Sequence, residues 1–149
     1  MELDPYWVTG FVDGEGTFYV GIYRNSSMKC GFQVLPEFVI VQHKRDTELL
    51  NEIKNFFNCG VVRVNHDDRM EFRVRSISDL NEIIIPFFKK YCLHSKKKTD
   101  FEIFSDIVSM IVNKEHLTEA GIEKIFGLSK KMNRKEKRKT ARLLKDLAG

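Results

Sequence analysis

The sequence predicts an α+β chain in which two β-hairpins alternate with helices, in the order α-β-β-α-β-β-α, with further helices toward the C-terminus. Three observations predict it. Residues 17–25 and 32–41 alternate apolar and polar around the polar loop "NSSMKCG". Residues 61–64 and 70–75 repeat that pattern around "NHDD". The segments between and after these hairpins carry apolar residues at helical spacing. With 149 residues, no long linker, no low-complexity segment and no internal repeat, one domain is expected, residues 1–149.

The first helix begins at Asp4-Pro5, an N-cap followed by a proline at the first helical position. It runs through "WVTGFVDGEG", where it accepts two poor helix formers, Gly10 and Gly14, and ends on two carboxylates, Asp13 and Glu15. In the first strand Phe18, Val20 and Ile22 share one face, and Thr17, Tyr19, Gly21 and Tyr23 the other. In the second, Val34, Phe38 and Ile40 oppose Gln33, Leu35, Glu37 and Val39, and Pro36 suggests an edge or a bulge. Leu49, Leu50, Ile53, Phe56 and Phe57 give the next helix, which stops at Asn58-Cys59-Gly60. The second hairpin sets Val62, Phe72 and Val74 on its apolar face and Arg63, Asn65, Glu71, Arg73 and Arg75 on the other. Ser78 is expected to cap a helix through Leu80, Ile83, Ile84 and Phe87, which Pro86 bends or ends. Phe101, Phe104, Ile107, Val108 and Ile111 mark another, Thr118 caps a further one, and Asn133 with Glu136 resembles a capping box for the last.

Composition narrows the function classes. Hydrophobic residues make up 42% and charged residues 31%, and no apolar run approaches the ~20 residues needed to cross a bilayer, so no membrane partner is expected. The N-terminus "MELDPYW" lacks a basic stretch followed by an apolar segment, and Cys30, Cys59 and Cys92 form no CxxC pair. An intracellular, reducing setting is therefore expected, either a bacterial cytoplasm or an organelle, without a disulfide framework or a paired-ligand zinc site. The net charge is only +4, but cations cluster at Lys96-Lys97-Lys98 and again from Lys130 to Lys145, a run that includes Lys137. Such runs suit a solvated helix face as well as a nucleic acid, so other features must decide.

Gly10 and Gly14 lie four apart, on one helix face that carries no side chain beyond Cα, so another backbone can come close. The simplest small-faced partner is a second copy of the same helix. A two-fold axis there would gather two copies each of Asp13 and Glu15, which is unfavourable unless a cation lies between them. Hard divalent ions take oxygen ligands, and the matching chemistry is metal-assisted phosphodiester cleavage. Taken alone, "DGEG" reads equally as an ordinary turn.

As a whole, "VTGFVDGEG" resembles the signature of the LAGLIDADG homing endonucleases, with Gly10, Asp13 and Gly16 matched, hydrophobic Val8, Phe11 and Val12, and Glu15 standing at the catalytic acid's position in place of the consensus aspartate. The order α-β-β-α-β-β-α and the later "HLTEAGIEKI" extend the resemblance over most of the chain. It implies a homing-endonuclease-like core whose antiparallel strands form a DNA-binding saddle along the major groove. It also implies a homodimer joined at the motif helices by Trp7, Gly10, Phe11, Asp13 and Gly14. By the same resemblance Glu15, with the Gly14 carbonyl, would bind Mg²⁺ (or Mn²⁺), Asp13 would be mainly structural, and Gln42 would order active-site water. The family's catalytic lysine falls in "HSKKKTDF", where Lys97 is preferred over Lys96 and Lys98.

Strand parity then gives the groove-facing set as Tyr19, Tyr23, Asn25, Gln33, Glu37, Arg63, Asn65, Arg69, Glu71, Arg73 and Arg75, with Lys96, Lys98 and Lys137 toward phosphate. Arginine suits guanine, amides suit adenine, and a glutamate can accept from cytosine. The expected activity is a metal-dependent double-strand break in a long, pseudo-palindromic target in double-stranded DNA. Two other readings are an intron maturase acting on intron RNA and a non-catalytic DNA-binding regulator. Glu15, Gln42 and the lysine cluster speak against the regulator, because a binder needs no acid beside phosphate.

Overall fold

The computed structural model describes residues 2–132. Along them run α1 (Pro5–Glu15), β1 (Gly16–Arg24), β2 (Phe32–His43), α2 (Thr47–Phe57), β3 (Val61–His66), β4 (Arg69–Val74), α3 (Ile77–Asp79), a π turn (Leu80–Ile84), α4 (Ile85–Lys90), α5 (Lys97–Val112) and α6 (Glu119–Ser129). The fold is α+β, with an antiparallel sheet of four strands and the expected alternation of hairpins and helices. The capping box at Asn133 and Glu136, and Lys137 with most of the basic C-terminal run, lie outside the described residues.

Local chemistry accounts for most boundaries. Asp4 caps α1 by accepting from the amides of Tyr6 and Trp7 at 2.8 and 3.2 Å, and Thr118 caps α6 by accepting from Gly121 N at 3.0 Å. Helix α2 ends at Asn58, which takes the left-handed conformation with φ 55°, and Gly60 follows with φ 83°. Two expectations are corrected. Ser76, not Ser78, caps α3, because Ser76 has the extended backbone of a cap and its hydroxyl accepts from Asp79 N, while Ser78 is already inside the helix. Pro36 stands inside β2 rather than on an edge strand; the ladder to β4 begins only at Phe38, so the missing N–H removes nothing from it. Pro86 bends the chain without ending it. The widened π turn just before it shifts the hydrogen-bond register around the ring, and helix resumes to Lys90.

The strand order is β1-β2-β4-β3, so the second hairpin joins the sheet through β4 and leaves β3 at the edge. Phe38, Val39, Ile40, Val41, Gln42 and His43 pair with Val74, Arg73, Phe72, Glu71, Met70 and Arg69 in turn. Edge strand β3 pairs Val61 with Arg73 and Arg63 with Glu71, and a register shift between Val64 and His66 leads into the turn at Asp67.

The chain forms two compact units. Of the described residues, one takes in 2–18 together with Glu37–Lys98; the other takes in Tyr19–Pro36 and 99–132. The first is built around Phe38, which stacks on Phe18 at 5.0 Å and meets Phe57, Phe72 and Phe88 edge-on at 5.5 to 6.2 Å. Rings in such geometries gain about 0.5–1.5 kcal/mol per pair beyond their burial. Val8 and Val12 of α1 and Leu50 and Ile53 of α2 are fully buried in this unit, which fixes the end of α1. In the second unit Phe104, Ile107 and Val108 of α5 and Ile122, Ile125 and Phe126 of α6 are buried, and Phe126 meets Phe32 edge-on at 5.3 Å.

Candidate active site and nucleic-acid interface

Helix α1 buries Val8, Thr9 and Val12 and turns Trp7, Gly10 and Gly14 outward. Thr9 Oγ1 ties the buried side down by donating to Tyr91 O at 3.1 Å. On the outward side Trp7, 44% exposed, stacks on Phe11 with centroids 5.1 Å apart and planes 9° apart. Among the described residues, a methyl group added at Gly10 or Gly14 would meet no atom within 4 Å beyond the helix's own backbone. Nothing in the packing of the described residues, then, requires glycine at either position, although each costs a helix about 1 kcal/mol relative to alanine.

The C-terminal end of α1 is held by the segment between α4 and α5. The last carbonyls of a helix lack partners within it; Val12 O accepts from Gly16 N, and Lys97 Nζ donates to Val12 O at 3.1 Å and to Asp13 O at 3.0 Å. A cation there also opposes the negative end of the helix dipole. Asp13 faces the same segment, accepting from His94 N at 2.8 Å, Ser95 N at 3.1 Å and Ser95 Oγ at 2.7 Å. Partial burial works against the Asp13 carboxylate, but the Ser95 hydroxyl, the amides of His94 and Ser95 and the charge of His94 outweigh it. The group is held below the ordinary carboxylate range. Lys96 and Lys98, on either side of Lys97, are exposed.

Glu15 stands one residue before the strand, with its carboxylate exposed and Oε2 accepting from Gln42 Nε2 at 3.1 Å. The structure thus brings Asp13, Glu15, Gln42 and Lys97 to one helix end. Gly14, the residue between the two acids, carries the carbonyl that follows the two capped by Lys97. Among the described residues no group of three or more His, Cys, Asp or Glu side chains could hold a metal ion. One carboxylate, one carbonyl and a neighbouring amide make only part of a shell. That fits Mg²⁺, which keeps several waters and takes one or two carboxylates together with phosphate oxygens.

The polar sheet face follows the predicted parity, but two residues assigned to it, Val39 and Glu71, are buried. Glu71 is only 6% exposed. Its Oε1 lies 3.5 Å from both Arg63 Nε and Arg73 Nη1, and its Oε2 accepts from Asn65 Nδ2 at 3.1 Å. A carboxylate enclosed in this way draws its neighbouring side chains together. Glu37 likewise takes Arg75 Nε at 2.6 Å. Arg69 is exposed at the start of β4. In the second unit Asn25 Nδ2 donates to Gln33 Oε1 at 3.3 Å, and the Tyr19 and Tyr23 hydroxyls lie 3.3 Å apart. Gly21 permits that tyrosine pair, since a Cβ there would sit 2.6 Å from the Tyr23 ring.

Sequence reasoning did not single out Ser95, the residue that anchors Asp13 through two donors, nor the clamp behind Gln42. In that clamp His43 Nε2 lies 3.2 Å from Asp68 Oδ2, while Lys44 N donates to Asp68 O at 2.7 Å. The only sequence signal for Ser95 is its position two residues before a lysine at a helix start.

The sequence model of the LAGLIDADG endonuclease family matches residues 8–108. The solved structure of a homing endonuclease, I-TnaI, has a TM-score of 0.95 and 50% identity and covers 99% of each chain. The meganuclease I-SmaMI bound to uncleaveable DNA gives 0.88 and 36%, over 90% of this chain and 45% of that one. The probable intron-encoded endonuclease 2 of Neurospora crassa is 41% identical over 138 residues, 86% of this chain and 30% of its own length. The chain thus spans less than half the length of these last two relatives. Among the described residues no helix is long and apolar enough to cross a membrane.

Proposed function

Because the chain belongs to the LAGLIDADG endonuclease family, we propose that it is a site-specific DNA endonuclease that pairs with a second copy through α1 and cleaves both strands of a pseudo-palindromic target. One observation carries this reading: the helix whose outward face is bare at Gly10 and Gly14 is the same helix that ends on Glu15. A close pairing of two such helices would bring two Glu15 carboxylates to the axis, where two scissile phosphates can lie. The reported I-SmaMI complex with DNA supports DNA as the partner by likeness.

Glu15 and the Gly14 carbonyl would hold Mg²⁺ or Mn²⁺, which supplies Lewis acidity at phosphate. Gln42 fixes the rotamer of Glu15 and presents an amide to water in the site. Asp13, engaged with His94 and Ser95, keeps the end of α1 in register with the segment that carries Lys97. Lys97 opposes the charge that develops on phosphate, from a position already set by its bonds to Val12 and Asp13 carbonyls. The arginines of β3 and β4 fix which sequence is seated, and Lys96 and Lys98 bind its backbone.

The test is cleavage of a randomised palindromic duplex library in Mg²⁺, by wild type and by Glu15→Gln. Wild type should select a site, and Glu15→Gln should bind that site while cutting at least about 100-fold more slowly, since it loses a charged ligand at nearly constant shape. Near wild-type cutting by Glu15→Gln would remove Glu15 from the chemistry.

A further inference from the structure

Glu71 is the one acid on the polar sheet face that is buried, and its three polar partners, one amide donor and two guanidinium groups, all come from residues on that same face. Arg63 lies directly across the β3–β4 ladder from it, and Arg73 is two residues along its own strand. Both guanidinium groups converge on one carboxylate oxygen, Oε1. Arg63 approaches with Nε, which donates to Val64 O at 3.5 Å, so its two terminal nitrogens remain to donate outward. Arg73 approaches through Nη1 and is mostly covered, its side chain 16% exposed against 54% for Arg63. A long, flexible arginine facing DNA can drift onto any phosphate, whereas one pinned at its root by a buried carboxylate keeps a fixed fork.

We propose that Glu71 is a shared specificity-determining residue: a positioning carboxylate that holds Arg63 and Arg73 in register for two guanines and couples the reading of one to the reading of the other. The inference rests on the endonuclease reading above. It follows from charge as well as geometry. With Glu71 in place, the two cations and one anion carry +1 together, so the patch attracts phosphate weakly and depends on bidentate contacts to guanine O6 and N7. With the carboxylate neutralised, the same patch carries +2 and its arginines are free to move, which favours backbone contact with any sequence.

The experiment is selection of bound duplexes from a randomised DNA pool in Ca²⁺ by wild type and by Glu71→Gln, with affinity for unselected random duplex measured beside it. Wild type should select a site holding two guanines whose preference depends on Arg63 and Arg73. Glu71→Gln should lose about tenfold discrimination at both positions together while binding random duplex severalfold more tightly. A change confined to one position, especially loss of a cytosine, would mean that Glu71 reads a base itself and would overturn the proposal, as would an unchanged selection. Wild-type protein with altered DNA gives a check that needs no variant to fold. Replacing either guanine should weaken discrimination at the other, and strictly additive penalties overturn the coupling. If wild type selects no sequence at all, the endonuclease reading fails and this inference falls with it.

Discussion

Asp13 shows how one side chain ties a helix end to a segment far along the chain. Its carboxylate accepts three hydrogen bonds from His94 and Ser95, and together with the charge of His94 these outweigh the desolvation that opposes them, so its folded-state pKa lies below the ordinary value. A depressed carboxylate contributes stability at pH above its unfolded pKa, and that contribution disappears as the pH falls through the folded value. Asp13→Asn keeps the shape but turns an amide NH₂ toward donors, and hydrogen bonds to a charged group are worth about 1.5–3 kcal/mol each at most. The variant should therefore be less stable than wild type near neutrality by about 1–3 kcal/mol, and the gap should close as the pH falls through the acidic range. Urea unfolding of both proteins at a series of pH values checks this; a gap that stays constant with pH would mean that Asp13 acts through shape and not charge. None of these partners was legible in the sequence, because His94 and Ser95 are about eighty residues away and nothing local marks them. Glu71 was half legible. Alternation gave its face, but the fact that Arg63, Arg73 and Asn65 close over it depends on cross-strand register.

Elements were more legible than their neighbours. Caps such as Asp4 and Thr118 are local chemistry, and helices and hairpins announce themselves by period. That β4 rather than β3 joins β2 is a non-local pairing which two similar alternating strands could not decide. Helix α1 is the case in which sequence and structure meet most directly. Its glycines were singled out for close approach, and the described residues leave both of them bare. Two opposed effects follow for Gly10. Alanine should raise the helix propensity of the isolated chain by about 1 kcal/mol, since nothing among the described residues would meet the added methyl, yet it should weaken any pairing in which a second backbone lies against that face. Leucine should prevent the pairing. Sedimentation velocity on wild type, Gly10→Ala and Gly10→Leu should show dimer, weakened dimer and folded monomer, with cleavage lost along the same series. A normal, active Gly10→Leu dimer would move the contact to another face of the chain.

At the scale of the whole molecule, the proposed binding of DNA would have to draw on where charge lies rather than on its sum. The chain has 25 Lys and Arg against 21 Asp and Glu, and two acids of the polar face, Glu37 and Glu71, are already engaged by arginines. On the proposed reading, two classes of cation would do different things. Lys98 is exposed in the first turn of the helix that Lys97 starts, and a contact from it to phosphate would carry no sequence information. Arg63 is held on the polar face, where a base edge gives it directional partners. Lys98→Ala should weaken binding to the selected site and to random duplex by the same factor, and flatten the dependence of log K on log salt by about 0.9 for each copy bound. Arg63→Ala should remove about 1–3 kcal/mol from the selected site, concentrated at one base pair in each half, and much less from random duplex. Fluorescence anisotropy at several salt concentrations, with both duplexes and both variants, separates the two. If Lys98→Ala discriminates between duplexes, or if Arg63→Ala weakens both equally, the division between phosphate-binding lysines and base-reading arginines is wrong, and the polar face of the sheet is not where this chain reads its target.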